Sequence, residues 1–176
     1  MPRKYPYYPS FNGGGEKKVT AKLVALCAAR WQTKSLGTYS VRLMKNDHTK
    51  NMKIGDAGYE KFLSVHATGF AADIQYRDET VARQMWDWFL GSSVIDGKEV
   101  EHSEHLALCE IHWYAHGDFG AGWRCSRGSG KSGVKIFTKD DNAGSFEGSP
   151  RWLHIEVSDM TAQEFEKRWR ELPKPE

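Results

Sequence analysis

Two stretches of the chain carry side chains whose types and spacing suit metal chemistry. In the first, His66 and Asp73 are seven positions apart, and Gly69 between them lets the backbone turn so that both can converge. In the second, Trp152 to Val157, alternation puts His154 and Glu156 on one face of a strand. A neutral imidazole nitrogen and a carboxylate oxygen both ligate Zn²⁺, and a catalytic site uses three protein ligands with a fourth position open. His66, Asp73 and His154 are therefore the candidate metal set. Each alone is an ordinary surface or core residue, and only the combination carries the argument.

The chain has 7 histidines, so the others are weighed individually. Glu110 and His112 alternate with Ile111 and Trp113 and would share one face of a strand lining a cleft. His112 or His116 is the candidate to touch substrate or transition state. His102 and His105 are expected to be solvated, and His48 has no assigned role. Gly128 to Ser132 ends like a phosphate-binding loop, but that motif needs Gly where Cys125 stands and a helix where Val134 to Phe137 has a strand pattern. A plain loop is expected there.

Several elements must hold these groups in place. Thr20 is expected to cap a first helix with Leu23, Cys27 and Trp31 on its apolar stripe. Asp78 caps a second, Glu79 to Leu90, with Val81, Met85, Trp88 and Phe89 on one face and Gly91 as the stop. Thr161 and Glu164 form a capping box for a last helix, stapled by Met160 and Phe165 and carrying Trp169. Strand patterns occur at Thr38 to Leu43, Ala71 to Tyr76, Leu106 to Tyr114, Val134 to Phe137 and Trp152 to Val157. Helices at both ends, strands between and no βαβ alternation argue for an α+β fold with a mostly antiparallel central sheet and flanking helices. Residues 1 to 15, rich in Pro and Tyr and closing on Gly13, Gly14 and Gly15, are expected to form an extended arm before a single domain spanning 16 to 176.

Composition excludes whole classes. At 176 residues, with 39% hydrophobic and 27% charged residues, the chain fits one packed domain, and disorder is excluded over most of it. The 25 Lys+Arg against 23 Asp+Glu give only +2, so no global charge holds it on a polyphosphate, and nucleic acid is not an expected partner. Arg3, Lys4, Arg124, Arg127 and Lys131 are the basic residues on which a nucleic-acid reading would rest. Cys27, Cys109 and Cys125 are odd in number and lack CxxC spacing, so no disulfide framework is expected. No apolar run approaches the roughly 18 residues of a membrane span, and the first residues lack the apolar stretch of a signal peptide. Synthesis in the cytoplasm without a signal peptide is expected, with the oligomeric state left open.

The first stretch also matches a family pattern. Ser64, His66, Gly69, Ala71 and Asp73 occupy every fixed position of SxHxxGxAxD, so the chain resembles the zinc peptidases of the Hedgehog/DD-peptidase fold, which include D-alanyl-D-alanine carboxypeptidases and phage L-alanyl-D-glutamate endolysins. The resemblance spans roughly residues 35 to 158. It implies Zn²⁺ held by His66, Asp73 and His154, the last in a late strand motif of the family. It implies that Arg42 polarises the scissile carbonyl or holds a substrate carboxylate. One position departs: the family's general base stands three residues before the last ligand, where this chain has Arg151. A guanidinium stays protonated and accepts no proton. Glu156 and Glu147 are the carboxylates nearest in sequence. Glu156 is the expected base because it shares the His154 face, roughly 7 Å along the strand. A simpler account is equally open, in which Glu156 orients a ligand or pairs with Arg151.

The function this implies is zinc-dependent hydrolysis of peptidoglycan stem or cross-bridge peptides by a phage lysis or tail-associated enzyme, acting at the bacterial wall after release or from a virion. The alternative is a non-catalytic, metal-containing binding module of the same fold that recognises a cell-wall peptide, glycan or protein. Arg151 favours the second; the ligand set favours the first.

Overall fold

The computed structural model describes residues 2–141 and 151–175. The helices are α1 (Lys18–Trp31), α2 (Glu79–Phe89), the one-turn α3 (His102–His105) and α4 (Ala162–Glu171). The strands are β1 (Lys34–Gly37), β2 (Ala71–Gln75), β3 (Ser92–Ile95), β4 (Lys98–Glu101), β5 (Leu108–Trp113), β6 (Ala121–Arg124), β7 (Val134–Ile136) and β8 (Trp152–Val157). Among the described residues, six strands form one sheet in the order β1-β2-β8-β5-β6-β7, with every neighbouring pair antiparallel. The protein is thus α+β with an antiparallel central sheet.

The pleat gives this sheet two unlike faces. Ala72 and Ile74 of β2, Leu153 and Ile155 of β8, Ile111 and Trp113 of β5, and Ala121 and Trp123 of β6 point to one side and are essentially fully buried. Leu23 and Cys27 of α1, Val81 and Met85 of α2, and Phe165 and Trp169 of α4 belong to the same core. Trp31, Trp88 and Trp169 meet edge to face or tilted at 4.7 to 5.8 Å between ring centroids, binding the three long helices together. The Arg30 guanidinium lies 4.4 Å over both Trp88 and Trp169. With the helices all committed to this side, the other face is left to polar residues.

Two helix caps form as the sequence implies. Asp78 accepts from Val81 N at 3.0 Å and Thr161 Oγ1 accepts from Glu164 N at 3.1 Å. Thr20 does not cap. Its hydroxyl donates to Gly69 O at 2.7 Å, and α1 starts at Lys18. The run Thr38 to Leu43 is not a strand either. The edge strand is the exposed Lys34–Gly37, and from the later run only Leu43 makes a bridge, to Leu63. A separate hairpin joins β3 and β4 through Asp96 and Gly97, both with positive φ. That dipeptide is a strong turn signal that the strand patterns above do not include. His102 is buried, contrary to its expected solvation. Its Nδ1 lies 2.6 Å from Trp88 O, a carbonyl near the end of α2 that also accepts from Gly91 N at 3.3 Å, and its Nε2 lies 2.6 Å from Ser93 Oγ.

Residues 2–17, before α1, contain no helix or strand and lie against the sheet. Arg3 N donates to Cys125 O at 3.0 Å and Gly13 N to Ala67 O at 2.8 Å. Tyr7 is buried, stacked on Phe70 at 5.4 Å, and its hydroxyl donates to Val157 O.

Candidate metal centre

Register builds the polar face. Asp73 pairs with His154 across β2 and β8, and His154 pairs with His112 across β8 and β5, so the three form one row on adjacent strands. One pleat further along, Ala71, Glu156, Glu110 and Arg124 form the next row. Antiparallel pairing places directly opposed side chains about 4.5–5.5 Å apart at Cβ, close enough to share a ligand.

His66 reaches the row from a 3-10 turn, Val65–Thr68, that leads into β2. Ser64 Oγ accepts from His66 N at 3.4 Å at the start of that turn, and Gly69 closes it with φ 80°. Gly69 has a second reason to be glycine: a Cβ there would stand 2.0 Å from Gly15 O, because the N-terminal segment passes against it. Ser64 and Gly69 thus bound the turn that delivers His66 to the edge of the Asp73–His154 row.

His66 Nε2 lies 3.2 Å from Asp73 Oδ2, and His154 Nδ1 lies 2.9 Å from Asp73 Oδ1. One ligand atom from each of the three falls within 4.8 Å of the other two. Bonds of 2.0–2.2 Å in a tetrahedral zinc site separate neighbouring ligand atoms by roughly 3.4 Å, so this donor set fits a small divalent cation with little movement. The protein therefore has a largely buried His66, Asp73 and His154 group able to hold a metal ion.

The electrostatics are uneven. Burial alone would raise the Asp73 carboxyl, but hydrogen bonds from His154 and His66 outweigh it and hold Asp73 well below the usual carboxylate range. Burial pushes His154 down, yet the hydrogen bonds to Asp73 and Glu156 more than reverse this and raise it to about 10. Burial lowers His66, opposed by Asp73 and reinforced by the charges of His154 and Arg42. In the metal-free protein the shared proton therefore sits on His154, and a metal must displace it.

Behind the ligands lies a second tier. Glu156, 1% exposed, places Oε1 3.0 Å from His154 Nε2 and accepts the Tyr5 hydroxyl on Oε2 at 2.7 Å. Its in-register neighbour Glu110 is also buried, with Oε1 3.0 Å from His112 Nε2 and accepting from Arg124 Nε at 2.6 Å. Burial, then the Glu110 charge, push the Glu156 carboxyl up. Glu110 would be raised by burial, but His112 and Arg124 hold it low. Burial and Glu156 push the Tyr5 phenol up, which keeps it a donor.

The expected residues fall into three groups. His66, Asp73 and His154 come together, with Glu156 and His112 beside His154; the His112 and His154 ring centroids are 5.9 Å apart. Gly122, paired with His112, makes room for that imidazole, since a Cβ there would stand 2.6 Å from His112 Cδ2. Arg42 is exposed on the stretch before the 3-10 turn, where its backbone carbonyl accepts from Ser64 N at 2.8 Å. His116 leaves the site and packs against Trp113 and Trp86 on the core side. Arg151 is exposed and bonds through its carbonyl to Tyr76 N, and Glu147 lies outside the described residues. Of the basic residues singled out, Arg3 pairs with Glu104, Arg124 with Glu110, and Arg127 donates to Gly133 O and Gly122 O. All three cysteines are buried and free, and no described helix is long and apolar enough to cross a membrane. Tyr5 was not among the expected site residues. Comparison of the chain with family models, curated proteins and solved structures finds no match.

Proposed function

We propose that the chain is a zinc-dependent peptidase of the Hedgehog/DD-peptidase fold that hydrolyses peptidoglycan stem or cross-bridge peptides. The observation that supports this is the convergence of His66, Asp73 and His154 from two distant stretches of the sequence onto one polar sheet face. Zn²⁺ on these residues supplies Lewis-acid activation of water and of the scissile carbonyl. Asp73 brings the negative charge, and Glu156 fixes the ring of His154 so that Nδ1 faces the metal position.

Proton transfer falls to His112. Glu156 is engaged by His154 and Tyr5 on its two oxygens, and His112, paired with His154 on the neighbouring strand, is oriented by Glu110 through Nε2 and has Nδ1 3.2 Å from the Tyr114 hydroxyl. An imidazole held by a carboxylate beside the reacting centre suits general acid–base work. Arg42, exposed near His66, binds the substrate carboxylate or the developing negative charge. The setting is a bacterial wall reached by a phage lysis or tail-associated protein.

A second reading has one observation behind it. The usual base position is the exposed Arg151, which fits a metal-containing module that binds wall peptide without cutting it. Metal analysis of the purified protein and release of new amino groups from purified murein separate the two, with His66→Ala alongside. About one zinc per chain and amino-group release, both lost in His66→Ala, are expected. Full zinc without product would leave the binding module, and absence of zinc would sink both.

A further inference from the structure

Glu156 has two occupied oxygens, and they face in different directions. Oε1 meets His154 Nε2 at 3.0 Å, while Oε2 accepts from Tyr5 at 2.7 Å. Tyr5 belongs to the segment before α1, 151 positions away in sequence, and no strand or helix fixes it there. It is fixed instead from both sides. Arg3 is tied to Glu104 and Cys125 O, and Tyr7 is buried on Phe70 with its hydroxyl on Val157 O. Above the Tyr5 ring, at 4.5 Å, lies the Arg124 guanidinium that also donates to Glu110. One aromatic residue therefore touches both halves of the second tier, the Glu156 half by hydrogen bond and the Glu110 half through Arg124.

A carboxylate held at one oxygen swings about its own side-chain torsions, and the imidazole it supports turns with it. A second hydrogen bond from a rigid donor removes that freedom. We propose that Tyr5 is a positioning residue of the metal centre: its hydroxyl sets Glu156, and Glu156 sets the His154 ring. This rests on the assignment of His66, Asp73 and His154 as metal ligands and goes beyond it, because it makes the N-terminal segment a working part of the site. Phenylalanine would keep the ring under Arg124 and delete only the donor.

The test compares Tyr5→Phe with Tyr7→Phe. The second also removes a buried hydroxyl from the same segment, but that hydroxyl binds Val157 O and has no hydrogen-bonded path to His154. Zn²⁺ affinity is measured by chelator competition, and Co²⁺ in its place reports ligand geometry through its visible absorption. Loss of a group that orients a metal ligand weakens binding about 10- to 100-fold. Tyr5→Phe is expected to bind Zn²⁺ about 10-fold more weakly and to change the Co²⁺ spectrum. Tyr7→Phe is expected to match the unaltered protein in both, whatever it does to the melting temperature. Unchanged affinity and spectrum in Tyr5→Phe, or equal weakening in the two variants, overturns the proposal while leaving the metal centre standing. Failure of the unaltered protein to bind either metal overturns the ligand assignment and this proposal with it.

Discussion

Glu156→Gln separates two roles that occupy the same side chain. If Glu156 is a general base, removing its charge abolishes proton transfer and leaves the metal in place. If it orients His154, the metal feels the change first. Its Oε1 lies 3.0 Å from His154 Nε2, and Gln retains an acceptor there, so the hydrogen bond survives without its charge. A hydrogen bond to a charged group contributes about 1.5–3 kcal/mol and a neutral one about 0.5–1.5. The difference of about 1–1.5 kcal/mol predicts metal binding weaker by about 5- to 10-fold. Two effects run the other way. Gln removes the like-charge contact with Glu110, so the variant stays folded with little loss of stability. It also loosens the His154 proton that a metal must displace, so the affinity deficit is smallest at neutral pH and widens toward about pH 9. The assay is chelator competition over that range, followed by amino-group release from murein at saturating Zn²⁺. We expect weaker binding and a rate within about 10-fold of the unaltered protein. Unchanged affinity with a rate loss of about 10²–10⁴, the range for a deleted general base, would refute the positioning role.

Other outcomes follow from the same geometry. Gly69→Ala combines a left-handed backbone, which disfavours L residues by about 1–2 kcal/mol, with a Cβ 2.0 Å from Gly15 O, so urea denaturation should show a loss above about 2 kcal/mol. Gly58→Ala has a similar φ of 79° but nothing near its Cβ and should lose only the backbone part; equal losses would contradict the close approach at Gly69. His102 is depressed by burial, partly offset by Trp88 O, below its unfolded value of about 6.5. The folded state thus binds fewer protons there, and the stability it contributes is present above about pH 6.5 and lost as pH falls through the folded value. Melting temperature should therefore drop more steeply toward about pH 5 in the unaltered protein than in His102→Gln, and parallel curves would contradict this burial account.

How much was legible depends on whether the cause was local. The caps at Asp78 and Thr161 act within three residues, so the ends they mark match the structure. Strand β8 was legible to the residue because Leu153, Ile155 and Val157 alternate with polar His154 and Glu156. The edge strand Lys34–Gly37 was not, since all four of its residues are exposed and leave no hydrophobic period. β6 was missed because Ala121 and Gly122 are poor strand formers, and Gly122 is there for the His112 ring. Thr20 looked like a cap, but a buried carbonyl at Gly69 claimed its hydroxyl. His102 stands between glutamates in the sequence, yet its ring is buried with Trp88 O at one nitrogen and Ser93 Oγ at the other, partners that only the fold supplies.

For the site, residue type and spacing alone determined the three candidate ligands, because ligand chemistry demands particular atoms and the 64–73 turn is a local structure. The sequence could not decide what stands behind them. Whether Glu156 carries a proton or holds a ring, whether His112 faces the site, and whether Arg124 faces outward or neutralises Glu110 all depend on strand register. A slip of one residue would send each of these side chains to the other face of the sheet. Tyr5 is the extreme case, a residue with no local signal whose part is set entirely by where the folded chain lays the first residues against the sheet.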